Sequence, residues 1–259
     1  MEFDAVLVEV GEDGVATLTL NRPEKLNTFN TPLATQFDAA LRQLDEDARV
    51  RVVILRGAGR VFCAGIDLDE YPDKSEQEYR EWTTRMERPL ATMMSISKPV
   101  IAQVHGVAVA NGAGTVAAAD LAIAAESARF GLTAINVGLN CVGPVVPVSR
   151  SVGRKRALEL LYFGDLISAT TAVEIGLINR VVSDETLDEE ARAWARKLAE
   201  KSPLALRSAK TSFYAAADVS FDSAMSYMNG AFAALCTTDD AAEGIRAFKE
   251  KRPPVWQGS

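Results

Sequence analysis

The chain is predicted to form one α/β core followed by a helical C-terminal extension. Short apolar runs alternate with segments of helical spacing over the first half of the sequence, which is the pattern of strands interleaved with helices. After Thr170 amphipathic helical segments dominate. No stretch rich in Gly, Ser or Pro and no low-complexity tract divides the 259 residues. The core is assigned to residues 1–195. The helical region, 196–259, is expected to pack on a neighbouring subunit.

Residues 5–10 and 15–20 are apolar runs joined by Gly11-Glu12-Asp13-Gly14, a hairpin signal. Leu33, Phe37, Leu41 and Leu44 recur at helical spacing within 31–47. Residues 50–56 read as a fully buried strand ended by Gly57-Ala58-Gly59. A polar stretch, 72–88, leads into a helix over 89–97. Pro89 is expected to break or kink any continuous helix there, because its ring removes an N–H and crowds the preceding turn. Residues 100–104 and 121–125 read as strands flanking a small-residue helix at 113–119. Segments 172–175, 187–201, 205–217, 220–236 and 239–251 fit helices.

Composition excludes several function classes. A net charge of −7 and a pI of about 5.0 argue against nucleic acid, whose backbone demands a cationic surface. An anionic small molecule stays within reach, since a few local cations suffice to hold it. Cys63, Cys141 and Cys236 show no CxxC spacing and read as the reduced thiols of a cytoplasmic protein. His105 is the only histidine, so neither a Ser-His-Asp triad nor a multi-histidine metal site is expected, and no metal is assigned. The opening Met1-Glu2-Phe3-Asp4 lacks the basic and apolar regions of a signal peptide. The longest apolar stretch, 100–125, is interrupted by Gln103, His105, Asn111 and Asp120, so no membrane span is expected.

The loops carry more information. Arg60-Val61-Phe62-Cys63-Ala64-Gly65-Ile66-Asp67-Leu68 follows a buried strand. About forty residues later come Pro99-Val100-Ile101-Ala102-Gln103-Val104-His105-Gly106 and then Asn111-Gly112-Ala113-Gly114. Glycine-rich turns admit close approach of a ligand to the backbone, and small residues before a helix leave N–H groups free to point at an anion. In order and spacing these segments resemble the signature loops of the crotonase (enoyl-CoA hydratase/isomerase) superfamily. Leu20-Asn21-Arg22-Pro23, Val137-Gly138-Leu139 and the C-terminal stretch from Glu243 to Arg252 extend the resemblance over nearly the whole chain. The region around Asn136 to Cys141 and the ending Lys251-Arg252-Pro253-Pro254-Val255-Trp256 look nearest to its less characterised domain-containing branch.

The resemblance implies a spiral of repeated strand-strand-helix units and a trimer or dimer of trimers. It implies no prosthetic group, with coenzyme A entering as part of an acyl thioester substrate. The backbone N–H groups of Ile66 and Asn111 would hold the thioester oxygen, although the family usually has glycine at the second position. Coenzyme A would lie along Lys25, Leu26, Ala64, Gly65 and Asp67, with Phe248 and Lys251 of a neighbouring subunit closing over it. Asp67 reads as a helix N-cap rather than a catalyst.

Family hydratases use two glutamates, and the matched motifs put Gly114 and Ala134 at those positions. A third position that carries an acid in dienoyl-CoA isomerases falls on Val142. Ordinary hydratase chemistry is therefore not expected, and glutamates introduced at 114 and 134 are expected to raise a hydration rate. The remaining carboxylate of interest is Glu87, which the resemblance places at the base position of the family's chlorobenzoyl-CoA dehalogenase, and which would share a helical face with Leu90 and Met94 beside an apolar pocket. An ion pair with Arg80, Arg85 or Arg88 on the surface is weighed ahead of that role. Cys141 reads as packing, and His105 as a buried hydrogen-bonding group at a strand end. Three functions stay open: an acyl-CoA enzyme working through the thioester enolate, a silent acyl-CoA binder, and a thioester hydrolase or decarboxylase.

Overall fold

The computed structural model describes residues 3–259; Met1 and Glu2, on which part of the N-terminal reading rests, lie outside the described residues. Strands β1 (Val6–Val10) and β2 (Val15–Leu20) form the expected hairpin, with Val6 opposite Leu20. Helix α1 (Thr31–Glu46) leads to β3 (Val52–Gly57), which lies parallel to β2. Helix α2 (Glu76–Ser95) precedes the unit β4 (Val100–Val104), β5 (Val107–Val109) and α3 (Asn111–Ala118). The same strand-strand-helix order repeats in β6 (Leu121–Ala125), β7 (Arg129–Gly131) and α4 (Val145–Phe163). β8 (Ile167–Ser168), α5 (Ala169–Glu174) and β9 (Arg180–Val182) close the core. Helices α6 (Leu187–Ala199), α7 (Pro203–Ala216), α8 (Phe221–Cys236) and α9 (Asp239–Glu250) follow.

A six-stranded sheet runs β1-β2-β3-β4-β6-β9, and a second sheet runs β5-β7-β8. This is the repeated spiral that the loops implied. Alternation along the strands divides the large sheet into two faces. Leu18, Val53, Leu55, Ala102 and Ala124 join the main core with α1, α2 and α3. Val15, Val52, Ile54, Ile101 and Ile123 meet Leu187, Ala191 and Ala195 of α6 on the other face. The boundary drawn after residue 195 thus falls inside α6, a helix that belongs to the sheet.

Helix α2 corrects the reading at Pro89. The helix continues through it, starting from a capping box in which Glu78 N–H donates to Ser75 Oγ and Ser75 N–H donates to Glu78. Trp82, Met86, Leu90 and Met93 lay one buried stripe on the core, and that packing outweighs the hydrogen bond Pro89 removes.

Helix α7 is tied to the core by a buried cluster. Lys210 Nζ donates to Asp120 Oδ2 at 2.7 Å and to Lys98 O at 2.9 Å. Tyr214 OH and Val100 N–H donate to the same carboxylate, at 3.1 and 2.7 Å. Helix α8 buries no side chain in the isolated chain, and Phe213, Phe221, Phe232 and Phe248 are all more than 60% exposed.

Candidate active site

Asn27 fixes the first loop. It is fully buried, with a positive φ of 54°, and its Nδ2 donates to Ala58 O and Val61 O at 2.8 and 2.9 Å while Oδ1 accepts from Arg22 N–H at 2.9 Å. Ala64 N–H donates to Leu26 O at 3.0 Å, so the Lys25-Leu26 turn lies against the loop. Phe29 N–H donates to Gly65 O, and Asp67 N–H donates to Phe29 O, each at 2.8 Å. This parallel bridge turns the intervening Ile66 N–H to the opposite side, where it has no acceptor among the described residues.

The second loop ends at Ala110, whose φ of 49° and ψ of −116° redirect the chain from β5 into α3. That conformation is costly for a residue with a Cβ and persists only where its surroundings enforce it. Ala110 N–H donates to Gly131 O at 2.9 Å, while Asn111 N–H, in the first turn of α3, has no acceptor among the described residues. The loops meet closely: a Cβ on Gly65, whose φ is 105°, would lie 3.0 Å from Ala110 Cβ. Two unpaired N–H groups, Ile66 and Asn111, therefore border one cavity of about 450 Å³.

Helix α2 supplies a wall of that cavity. Tyr79, Thr83 and Glu87, each four residues on, face it together with Trp82. Tyr71, Tyr79 and Trp82 pack edge-on and tilted with centroids 5.2–6.5 Å apart, giving the wall an aromatic surface. The expected ion pairs of Glu87 do not form: Arg80 pairs with Glu76, and Glu87 has neither hydrogen bond nor ion pair among the described residues. Burial in this apolar wall pushes the Glu87 carboxyl above the ordinary carboxylate range. Its head rests over Gly143, where any Cβ would overlap the carboxylate.

Ala134 and Val142 line the cavity and offer no proton. Gly114 departs from the expectation. A Cβ there would stand 2.8 Å from both Cα and Cβ of Pro144 and 3.1 Å from Leu90 Cδ2, so the position is closed by packing and a glutamate cannot simply be restored. Gly114→Ala should cost about 1–3 kcal/mol in urea unfolding, and Gly114→Glu should lower stability further without raising a hydration rate. Cys63 is buried and its thiol is pushed up to about 12, and burial also raises Cys141, so neither is a ready nucleophile. His105 is only half-buried; its Nε2 lies 2.9 Å from Gly59 O.

Asp67 caps the turn Leu68–Glu70 by accepting from Asp69 N–H, and pairs with Arg22 at 2.9 Å. Lys25 reaches Asp69 at 2.8 Å in an exposed pair, the kind that contributes little and is readily exchanged for a phosphate. Lys25, Leu26, Ala64, Gly65, Ile66 and Asp67 thus converge. Phe248 and Lys251, on and after α9, do not line the cavity of their own chain.

Two backbone N–H groups without an acceptor among the described residues thus belong to residues that border a mainly apolar cavity with one carboxylate, on a strand-strand-helix spiral. The chain belongs to the enoyl-CoA hydratase/isomerase family, whose model matches residues 11–259. It is 37% identical to the 1,2-epoxyphenylacetyl-CoA isomerase of Escherichia coli (strain K12), over 100% of this chain and 99% of that protein. It is 34% identical to enoyl-CoA hydratase domain-containing protein 3, mitochondrial, of Rattus norvegicus, over 95% of this chain and 82% of that protein. Its fold matches a crystal structure of enoyl-CoA hydratase from Mycobacterium smegmatis with a TM-score of 0.95 and 40% identity, covering 97% of this chain and 98% of the other. Among the described residues no helix is long and apolar enough to cross a membrane, and no metal-ligand cluster is present.

Proposed function

We propose that the chain is an acyl-CoA enzyme that holds a thioester oxygen on the Ile66 and Asn111 N–H groups and moves one proton with Glu87. The observation that carries this reading is the unpaired, half-buried Glu87 carboxylate in the same cavity as both free donors. Paired N–H groups lower the energy of an enolate, and one such donor contributes on the order of 3 kcal/mol. One carboxylate suits an isomerase-type shift, in which the proton leaves one carbon and returns to another. Hydration calls for a second acid, and Gly114, Ala134 and Val142 hold none. Binding without turnover is the second reading, and the closed position 114 is what favours it.

Calorimetry with butyryl-CoA and with butyrate tests the central claim. Binding of the thioester alone is the expected outcome; no heat from butyryl-CoA at millimolar concentration removes the reading. Coenzyme A phosphates are assigned to Lys25 and to Lys251 of a neighbouring subunit, with Phe248 beside it. This assignment calls for a trimer or dimer of trimers. The exposed aromatic residues of α7, α8 and α9 support it, since faces of this size are normally covered. Light scattering at micromolar concentration should give three or six times the 27.9 kDa chain mass, and a monomer would contradict the assembly. The cytoplasmic location belongs to this reading too; it rests on the three cysteines, whose spacing suggests no disulfide framework.

A further inference from the structure

We infer that Gly143 is a positioning residue: lacking a Cβ, it lets the Glu87 carboxylate settle where it can exchange a proton with the acyl group, an inference that rests on the role proposed for Glu87 and deepens it. Gly143 lies in the turn that leads into α4, and Glu87 reaches it from α2. A Cβ on Gly143 would overlap Glu87 Oε1 and Cδ and crowd Oε2, and these are the three atoms nearest to it. Backbone conformation does not call for glycine there, because Gly143 is not among the residues of positive φ. The turn is set instead by the start of α4, where Val145 N–H donates to Cys141 O at 2.9 Å and Val146 N–H donates to Gly143 O at 3.0 Å.

Other close glycines differ in what surrounds them. At Gly106 and Gly112 an added Cβ would strike the backbone oxygens of Arg60 and Cys63, which cannot withdraw without moving a loop. At Gly143 the obstacle is the far end of a flexible side chain, which can turn about its χ angles to another rotamer. An alanine at 143 is therefore accommodated by the fold at the expense of the seat. No hydrogen bond or ion pair among the described residues holds the Glu87 head, so the shape of its surroundings decides where it rests. Restoring ordinary contact with a new methyl group moves the carboxylate by more than about 1 Å. A displacement of that size at a reacting centre costs on the order of 100-fold in rate.

The test is exchange of the C2 hydrogens of butyryl-CoA for deuterium in heavy water, followed by mass spectrometry. In that exchange the C2–H bond breaks, its proton passes to the Glu87 carboxylate and its electron pair enters the thioester enolate. A deuteron from the solvent-exchanged carboxyl then returns to C2. Gly143→Ala should slow exchange about 100-fold and leave the calorimetric Kd of butyryl-CoA within about threefold. In a Glu87→Gln background the same substitution should change the residual exchange by less than about twofold, because the two positions act as one. The melting temperature should not fall, since alanine in an allowed conformation restricts the unfolded chain. Unaltered exchange in Gly143→Ala overturns the inference and leaves the role of Glu87 standing. Slowing that persists in the Glu87→Gln background overturns it as well. So does a failure to fold or a melting temperature lowered by more than about 4 °C, for position 143 then acts through packing. Wild-type exchange no faster than in Glu87→Gln removes the proposed role of Glu87, and this inference with it.

Discussion

Glu87→Gln should lower turnover of an acyl-CoA substrate by about 100- to 10,000-fold while leaving thioester binding largely intact, because it removes the carboxylate proposed to move the proton. Burial holds the Glu87 carboxyl above its ordinary value of 4.5. The acid limb of kcat/KM should therefore lie above 4.5 and disappear in the variant. The same shift fixes the sign of a stability effect. A folded-state pKa above the unfolded one gives stability that is fully present at low pH and lost as pH rises through the folded value. At pH 7 the wild type carries this burden and Glu87→Gln does not, so the inactive variant should melt at a higher temperature than wild type. At about pH 4, where the carboxyl is largely protonated in both states, the gain should vanish. Unchanged kcat in Glu87→Gln would remove Glu87 from the chemistry.

Asp120→Ala should cost about 3–5 kcal/mol, the usual effect of stripping one partner from a buried ion pair. The Lys210 side chain is 5% exposed, and burial already lowers its pKa while Asp120 pulls it back up. Without Asp120 the ammonium keeps only Lys98 O, and Tyr214 OH and Val100 N–H lose an acceptor. Lys210→Met should be milder, because the apolar stem of the side chain is retained and Asp120 keeps two of its donors. Urea unfolding of the two variants gives the comparison. A loss below about 1 kcal/mol for Asp120→Ala would mean that the cluster does not hold α7 to the core.

Alternation and helical spacing located the long elements closely: 100–104 and 121–125 coincide with β4 and β6, and 31–47 with α1. The strands β5, β7, β8 and β9 escaped because runs of two or three residues have no measurable period. Helix α4 escaped too, and its sequence carries Pro147 and Gly153, two residues that interrupt a helical pattern. Pro147 sits in the first turn, where an N–H is not required, and Gly153 interrupts the helix with a φ of 75°. In the site, Ile66, Asn111 and Glu87 were reachable from motif order. The hold of Asn27 on residues 58–62, the seat of Glu87 over Gly143 and the closure of Gly114 are long-range contacts with no local signature.

The wall that Pro144 and Leu90 build around Gly114 also orders the mutational routes open to this chain. A carboxylate at 134 is one substitution away and would point into free volume. At 114 the first methylene already collides with another segment's backbone, so the intermediate sequence is the least fit of the series. Any walk toward a two-glutamate site must therefore first shift the backbone at residue 144, whose Cα stays in the way whatever its side chain, and that shift offers no catalytic return by itself. Directed evolution selecting single substitutions for hydration should stall at 114, and libraries that also vary the length and sequence of the segment leading into α4 should be the ones that cross.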